Sequence, residues 1–332
     1  MTTAAPSRAG LAGDGSAGTP GAGVGGAAAD RSWPGRRRPG RRRARIRESL
    51  VGYAFIGPNL LLLAVFLLVP ILWAVQLSFQ ATRGFGDPDW VGGANYARMV
   101  ADPVFWQTLA NTVLFTVVTV PVEMAIGLGL AVLLDGVLPG RKAWRTMLVL
   151  PMVISGVASA MIAVILFTEA NGLFNQILRA VGLGTVPWQS DGALAMVSVI
   201  ATMIWLRAGL NMIIYLAGLQ SVSPELYEAA ELDGAGAWQR FRAITVPLVG
   251  PSTFFLLVLN VIASFQVFDL VFVLTGGGPG YSTSVLGTYA YRNGFQIREQ
   301  GYGAALGVVI LVVTLIFTVV QWRTNRTRDL TE

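Results

Sequence analysis

Six stretches of this chain, 51–79, 109–134, 146–167, 193–218, 253–274 and 304–322, are apolar for long enough to cross the roughly 30 Å core of a bilayer at about 1.5 Å per helical residue. Water is absent at that depth, so the backbone must satisfy its own hydrogen bonds, and each stretch is expected to be a helix. The expected fold is an all-α membrane protein with six transmembrane helices. Of the 332 residues 54% are hydrophobic and only 13% charged, against about 25% charged in soluble domains. That sets aside the two soluble domains the length would otherwise suggest. Pro58, Pro70 and Pro121 fall inside spans and are expected to kink them.

The basic residues set the orientation. With the N-terminus in the cytoplasm, 18 Lys and Arg lie on the inner side and five on the outer, and Arg207 lies within a span. That bias predicts that both termini are cytoplasmic. The net charge of +6 is thus a topology signal at membrane flanks, not a nucleic-acid surface. Residues 1–49 read as a disordered basic cytoplasmic tail, Gly- and Ala-rich at first and then Arg-rich over 36–47. A cleaved signal peptide is a weaker reading, since the apolar stretch that follows is too long. The remaining divisions are a first transmembrane helix at 50–80, a core of five helices at 105–322 and a cytoplasmic tail at 323–332.

Several chemistries are excluded. The chain has no Cys and no His, so disulfides, thiolate zinc sites and His-based triads are impossible, and neither a metal nor a cofactor is expected. The run TGGGPG at 275–280 lacks the Lys-Ser/Thr of a phosphate-binding loop and reads as a tight turn. Gly303 and Gly307 form a small-xxx-small pair suited to close helix packing.

The 219–250 connection is long for a structureless loop and carries helix grammar. Ser223 suits an N-cap, Pro224 the first helical position, and Gly234 a C-terminal stop. A second short helix fits at 237–244. Two short helices at the inner surface would make a rigid knob, with Ala229 and Ala230 keeping one face small. A surface hairpin that merely ties two spans together is the plainer reading.

Residues 228–251, EAAELDGAGAWQRFRAITVPLVGP, resemble the EAA loop of permease subunits in binding-protein-dependent ABC importers. Asn111 with Thr112, Leu150 with Pro151, and LTGGGP at 274–279 fit the carbohydrate-uptake branch in order. The resemblance implies a type I ABC importer permease fold with no ATPase activity of its own. It implies as partners two ATP-binding subunits, a second homologous permease, an extracytoplasmic solute-binding protein and a sugar cargo. It assigns coupling to the ATPase to Glu228, Ala229, Ala230, Asp233 and Gly234.

Ionisable groups inside spans are candidates by default. Glu123 and Arg207 lie equally far into spans two and four and are expected at one depth, as a pair or lining a wet cavity. Asp269 lies near the outer end of span five, where a solvated role is favoured. Asn260 and Ser264, at i,i+4, share a face with Phe268 and supply the hydrogen bonds and flat apolar surface that a sugar ring needs. Interhelical hydrogen bonding is the competing reading. Met152, Gly156 and Trp205, with Arg207, are further candidates for the cargo path. An ion-driven secondary transporter, a polytopic enzyme, and an importer of amino acids, polyamines or phosphate remain the alternatives.

Overall fold

The computed structural model describes residues 54–82, 86–136 and 138–326. The expected tail at 1–49 and the end of the chain beyond 326 lie outside them. The chain divides into two units, Met1–Leu60 and Leu61–Glu332. Of the first, only residues 54–60 are described, as helix. The contacts given below lie in the second.

Among the described residues, four helices are long and apolar enough to cross a membrane: span one Ala54–Ser78, span two Pro103–Asp135, span four Gly192–Gln220 and span six Gln300–Arg323. Spans three and five are each a bent pair. Arg141–Val153 and Gly156–Phe167 meet at 103°, and Ala237–Leu248 and Gly250–Phe265 at 65°. Counting each pair once gives the expected six.

The caps follow from residue chemistry. Asp102 accepts from Val104 N at 2.9 Å, with Pro103 next to it at the first helical position. Asp191 accepts from Ala193 N and Leu194 N at 2.9 and 3.0 Å. Each side chain meets backbone donors that the helix itself cannot satisfy.

The prolines do less bending than expected. Pro121 sits inside one continuous helix from Pro103 to Asp135. Pro70 follows a π-helical segment, Ala64–Leu68, and Pro247 follows another, Phe241–Thr245. Proline offers no N–H to the preceding turn and its ring crowds the carbonyl four residues back; widening that turn relieves the clash. The sharp break in span three falls instead at Ile154 and Ser155, both extended, where Ser155 Oγ accepts from Ala158 N at 3.3 Å and starts a new helix. Span five is also interrupted later: its helix ends at Phe265, and a separate helix, Asp269–Leu274, begins after Phe268. The apolar run 253–274 is therefore not one straight helix.

Spans two and four run side by side in the same direction. Gly127 lies so close to Asn211 that an added Cβ would sit 2.4 Å from the Asn211 Cβ. Phe115 packs with Met196, Val199 and Met203 towards one end, and Leu134 with Tyr215 and Leu219 towards the other. Gly209 meets the carbonyl of Leu148, locking span four onto the first half of span three. Gly303 rests on Gly294, whereas nothing lies within 4 Å of a Cβ at Gly307, so half of the small-residue pair is a contact.

At the end of the molecule opposite the 219–250 connection, Asp102 binds the hydroxyls of Tyr289 and Tyr302. Arg98 pairs with Glu299 at 2.7 Å and lies over the Tyr302 ring. These contacts join the starts of spans two and six. Burial opposes the charge on Asp102, but the two tyrosine hydroxyls and the backbone N–H groups of Val104 and Phe105 outweigh it and hold the carboxyl below its ordinary value.

Candidate coupling and translocation sites

The 219–250 connection is the expected knob. Its first helix is Pro224–Leu232. Ser223 takes the N-cap position, but its side chain makes no cap hydrogen bond. The helix ends at Gly234, whose φ of 80° places it in the left-handed region. There Ala235 N donates to Ala230 O at 2.8 Å and Gly234 N to Glu231 O at 3.0 Å, the paired closure that glycine permits. The second helix starts at Ala237, helped by Gln239 Oε1 accepting from Gly236 N at 2.8 Å. The helix expected at 237–244 is thus α-helical only over Ala237–Arg240 and continues as the π segment.

Two side-chain clamps hold the helices together: Arg240 to Glu231 at 2.6 Å, and the Tyr227 hydroxyl to Thr245 Oγ1 at 3.1 Å. With the knob fixed from inside, its outer face is free. Glu228, Ala229, Asp233 and Gly234 are exposed, and Ala230 is half-buried. Leu232 is 90% and Trp238 71% exposed. The Glu228 side chain makes no hydrogen bond or ion pair among the described residues. Apolar and acidic side chains are thus held bare together on a connection clamped from within.

Inside the spans, one polar network joins spans two, four and five. The register that sets Gly127 against Asn211 sets Glu123 against Arg207 one turn earlier. Arg207 Nε lies 4.0 Å from Glu123 Oε1, and Glu123 is 1% exposed. Arg207 also donates twice to Asn260 Oδ1, at 3.2 and 2.8 Å. Asn260 Nδ2 donates to Asn211 Oδ1 at 2.7 Å, and Asn211 Nδ2 returns to Arg207 O at 2.9 Å. Next to it, Ser264 Oγ donates to Thr116 Oγ1 at 2.9 Å. Asn260 and Ser264 are fully buried, with their polar groups engaged across the helices. Met152 and Trp205 are exposed and Phe268 is half-buried beside Phe272, rings stacked at 5.3 Å. Gly156 begins the second half of span three and faces Asp269.

Two residues in this arrangement were not among the expected site residues, although Asn111 belongs to the Asn111–Thr112 pair noted above. Asn211 completes the network, and its signal was its position four residues after Arg207 on the same helical face. Asn111 binds the carbonyls of Tyr281 and Ser284 at 2.8 and 2.9 Å, and Thr112 Oγ1 accepts from Leu286 N at 3.0 Å. These two residues fasten the glycine turn to span two. Gly276, Gly277 and Gly280 in that turn all have positive φ, and Thr275 bonds Thr283 across it at 2.8 Å.

A chain of broken and continuous apolar helices around a buried polar network, with a rigid knob on one connection, is the build of a membrane permease. This chain belongs to the binding-protein-dependent transport system inner membrane component family, whose model matches residues 105–327. It is 35% identical over 287 residues to the sulfoquinovosyl glycerol transport system permease protein of Agrobacterium fabrum, covering 85% of this chain and 92% of that one. The trehalose/maltose transport system permease protein of Thermococcus litoralis is 33% identical over 282 residues, covering 85% and 95%. Among solved structures, a bacterial ABC transporter importing the acidic polysaccharide alginate superposes with a TM-score of 0.77 at 27% identity, over 86% of this chain and 99% of that one. The chain is therefore a multi-pass inner-membrane transport subunit of type I importer fold.

Proposed function

We propose that this chain is one of two permease subunits in an ATP-driven importer that moves a sugar or oligosaccharide, delivered by a solute-binding protein, by alternating access. The observation that carries the reading is the knob: a clamped pair of helices presenting Leu232, Trp238, Glu228 and Asp233 to a partner while leading directly into span five. The importer holds two separate ATP-binding subunits, one of which docks there, with Glu228, Ala229, Ala230, Asp233 and Gly234 at the contact. Both termini are cytoplasmic, which the distribution of Lys and Arg supports. The sugar assignment draws on the relatives, whose transport systems are named for trehalose/maltose and sulfoquinovosyl glycerol.

Cargo passes along the exposed side chains Met152 and Trp205 and the half-buried Phe268, beside Gly156 and Arg207. Asn260 and Ser264 hold spans two, four and five together in the present state and come within reach of cargo when that network opens. The Glu123/Arg207 pair keeps the buried carboxylate compensated meanwhile.

The test is uptake of labelled saccharides into proteoliposomes holding the complete importer and its binding protein. Uptake should require ATP inside the assembly and persist without an ion gradient. Glu228→Ala should cut uptake by about tenfold or more while the thermal unfolding midpoint stays put, because this side chain supports nothing within the chain. Uptake that follows an ion gradient and ignores ATP would instead identify a secondary transporter.

A further inference from the structure

Two helix interruptions meet at one point. Gly156 opens the second half of span three just after the break at Ile154 and Ser155, and Asp269 opens the helix that follows the gap after Phe265. A Cβ at position 156 would lie 1.7 Å from Asp269 Oδ2. Glycine is thus what lets this carboxylate reach the broken end of span three. Asp269 Oδ1 accepts from Leu270 N at 2.9 Å. Oδ2 accepts no hydrogen bond among the described residues, and no ion pair joins Asp269. The side chain is half-buried, neither sealed in protein nor spread into open water.

From this geometry we infer that Asp269 is a cargo-contacting, specificity-determining residue: its spare oxygen accepts hydroxyl hydrogen bonds from a neutral polyhydroxylated solute and turns anionic solutes away. The inference rests on the importer reading above and narrows its substrate class. Broken helices in transporters commonly mark the place where cargo is held, because their freed ends supply polar contacts at membrane depth. A carboxylate with unused lone pairs there is costly unless donors arrive, and sugar hydroxyls are such donors. Phe268, the preceding residue, stacks on Phe272, and Tyr291 lies 5.1 and 5.2 Å from the two rings. Arg207, the cation within span four, is held by Asn260 and lies 4.0 Å from Glu123, and no ion pair joins it to Asp269.

The complete importer is probed with maltose, trehalose and lactose as neutral disaccharides and digalacturonate as the anionic one, by binding in nanodiscs and by ATP-driven uptake in proteoliposomes. The wild type should favour its best neutral sugar over digalacturonate by about tenfold or more. Asp269→Asn keeps the shape and the bond to Leu270, and should shrink that preference severalfold with an unchanged unfolding midpoint. Gly156→Ala displaces the carboxylate without removing its charge. It should weaken the neutral sugar while digalacturonate stays excluded. A preference unmoved in Asp269→Asn, or a wild type that favours digalacturonate, overturns the assignment. If the wild type takes up no saccharide with ATP, the importer reading falls first; ATP-driven uptake with an unmoved preference sinks Asp269 alone.

Discussion

Spans two and four are continuous, while spans three and five are broken, yet all four read in the sequence as apolar runs long enough to cross a bilayer. The continuous pair lie flush through glycine contacts: Gly127 on Asn211 between them, and Gly209 on the Leu148 carbonyl beyond. The broken pair change direction by 103° and 65°. Apolar length reports that a segment can sit in lipid. It carries no information about whether the backbone stays straight there. The two continuous helices form a frame, and the two broken ones carry the parts expected to move.

The contrast can be attacked most forcefully at the frame. Gly209→Leu drives a side chain into a backbone carbonyl that cannot retreat, at about 3 kcal/mol or more. Fluorescence-detected size exclusion after heating should show little folded protein, and a normal melting profile would mean the frame is softer than described. Next comes the link between frame and broken helices. Arg207→Met leaves Glu123 buried without its cation and should destabilise by about 3 kcal/mol. Glu123→Gln combined with Arg207→Met should recover part of that loss in a double-mutant cycle. Strict additivity would show that the two groups do not sense each other at 4.0 Å.

A milder change reaches the break itself. Ser155→Ala removes the side-chain cap at the restart of span three and should cost about 1 kcal/mol. Its effect on uptake should exceed its effect on melting temperature if the break is a working part. The smallest effect lies at the far end of the frame. Asp102 has a lowered carboxyl pKa in the folded chain, so it contributes stability above about pH 4 that is lost as pH falls through the folded value. Melting temperature followed from pH 6 to about pH 3 should fall less in Asp102→Asn than in the wild type; parallel curves would remove Asp102 from the acid response.

How much of this was legible in the sequence depended on the range of the interactions. The six spans came from local apolar runs, and the knob from Pro224, Gly234 and their neighbours, all within a few residues of one another. The common depth of Glu123 and Arg207 was readable because parallel helices of similar start share a ruler. The breaks were not, since attention to Pro121 missed Ser155, whose capping oxygen is what restarts the helix. The full network was hidden for another reason: Asn211 and Asn260 announce polarity but not partners. The fastening of the glycine turn by Asn111 joins residues 170 and 173 apart in the chain, beyond any local pattern. Asp269 was placed by counting along one straight helix from the span's end, whereas it opens a separate helix, Asp269–Leu274, where it is half-buried.

The knob's second helix does not stop at the membrane surface. It runs from Ala237 through the π segment to Leu248, turns 65°, and becomes the helix Gly250–Phe265 that carries Asn260. Mechanically this is a crank: one arm belongs to the exposed knob, and the other reaches about 15 Å from the elbow to Asn260. Turning the outer arm by about 10° would sweep Asn260 through roughly 2.6 Å, comparable to the 2.8 Å bond that ties it to Arg207. A modest rotation at the surface is thus geared to undo a single polar latch in the interior, and the stiffness of the elbow sets how faithfully one motion becomes the other.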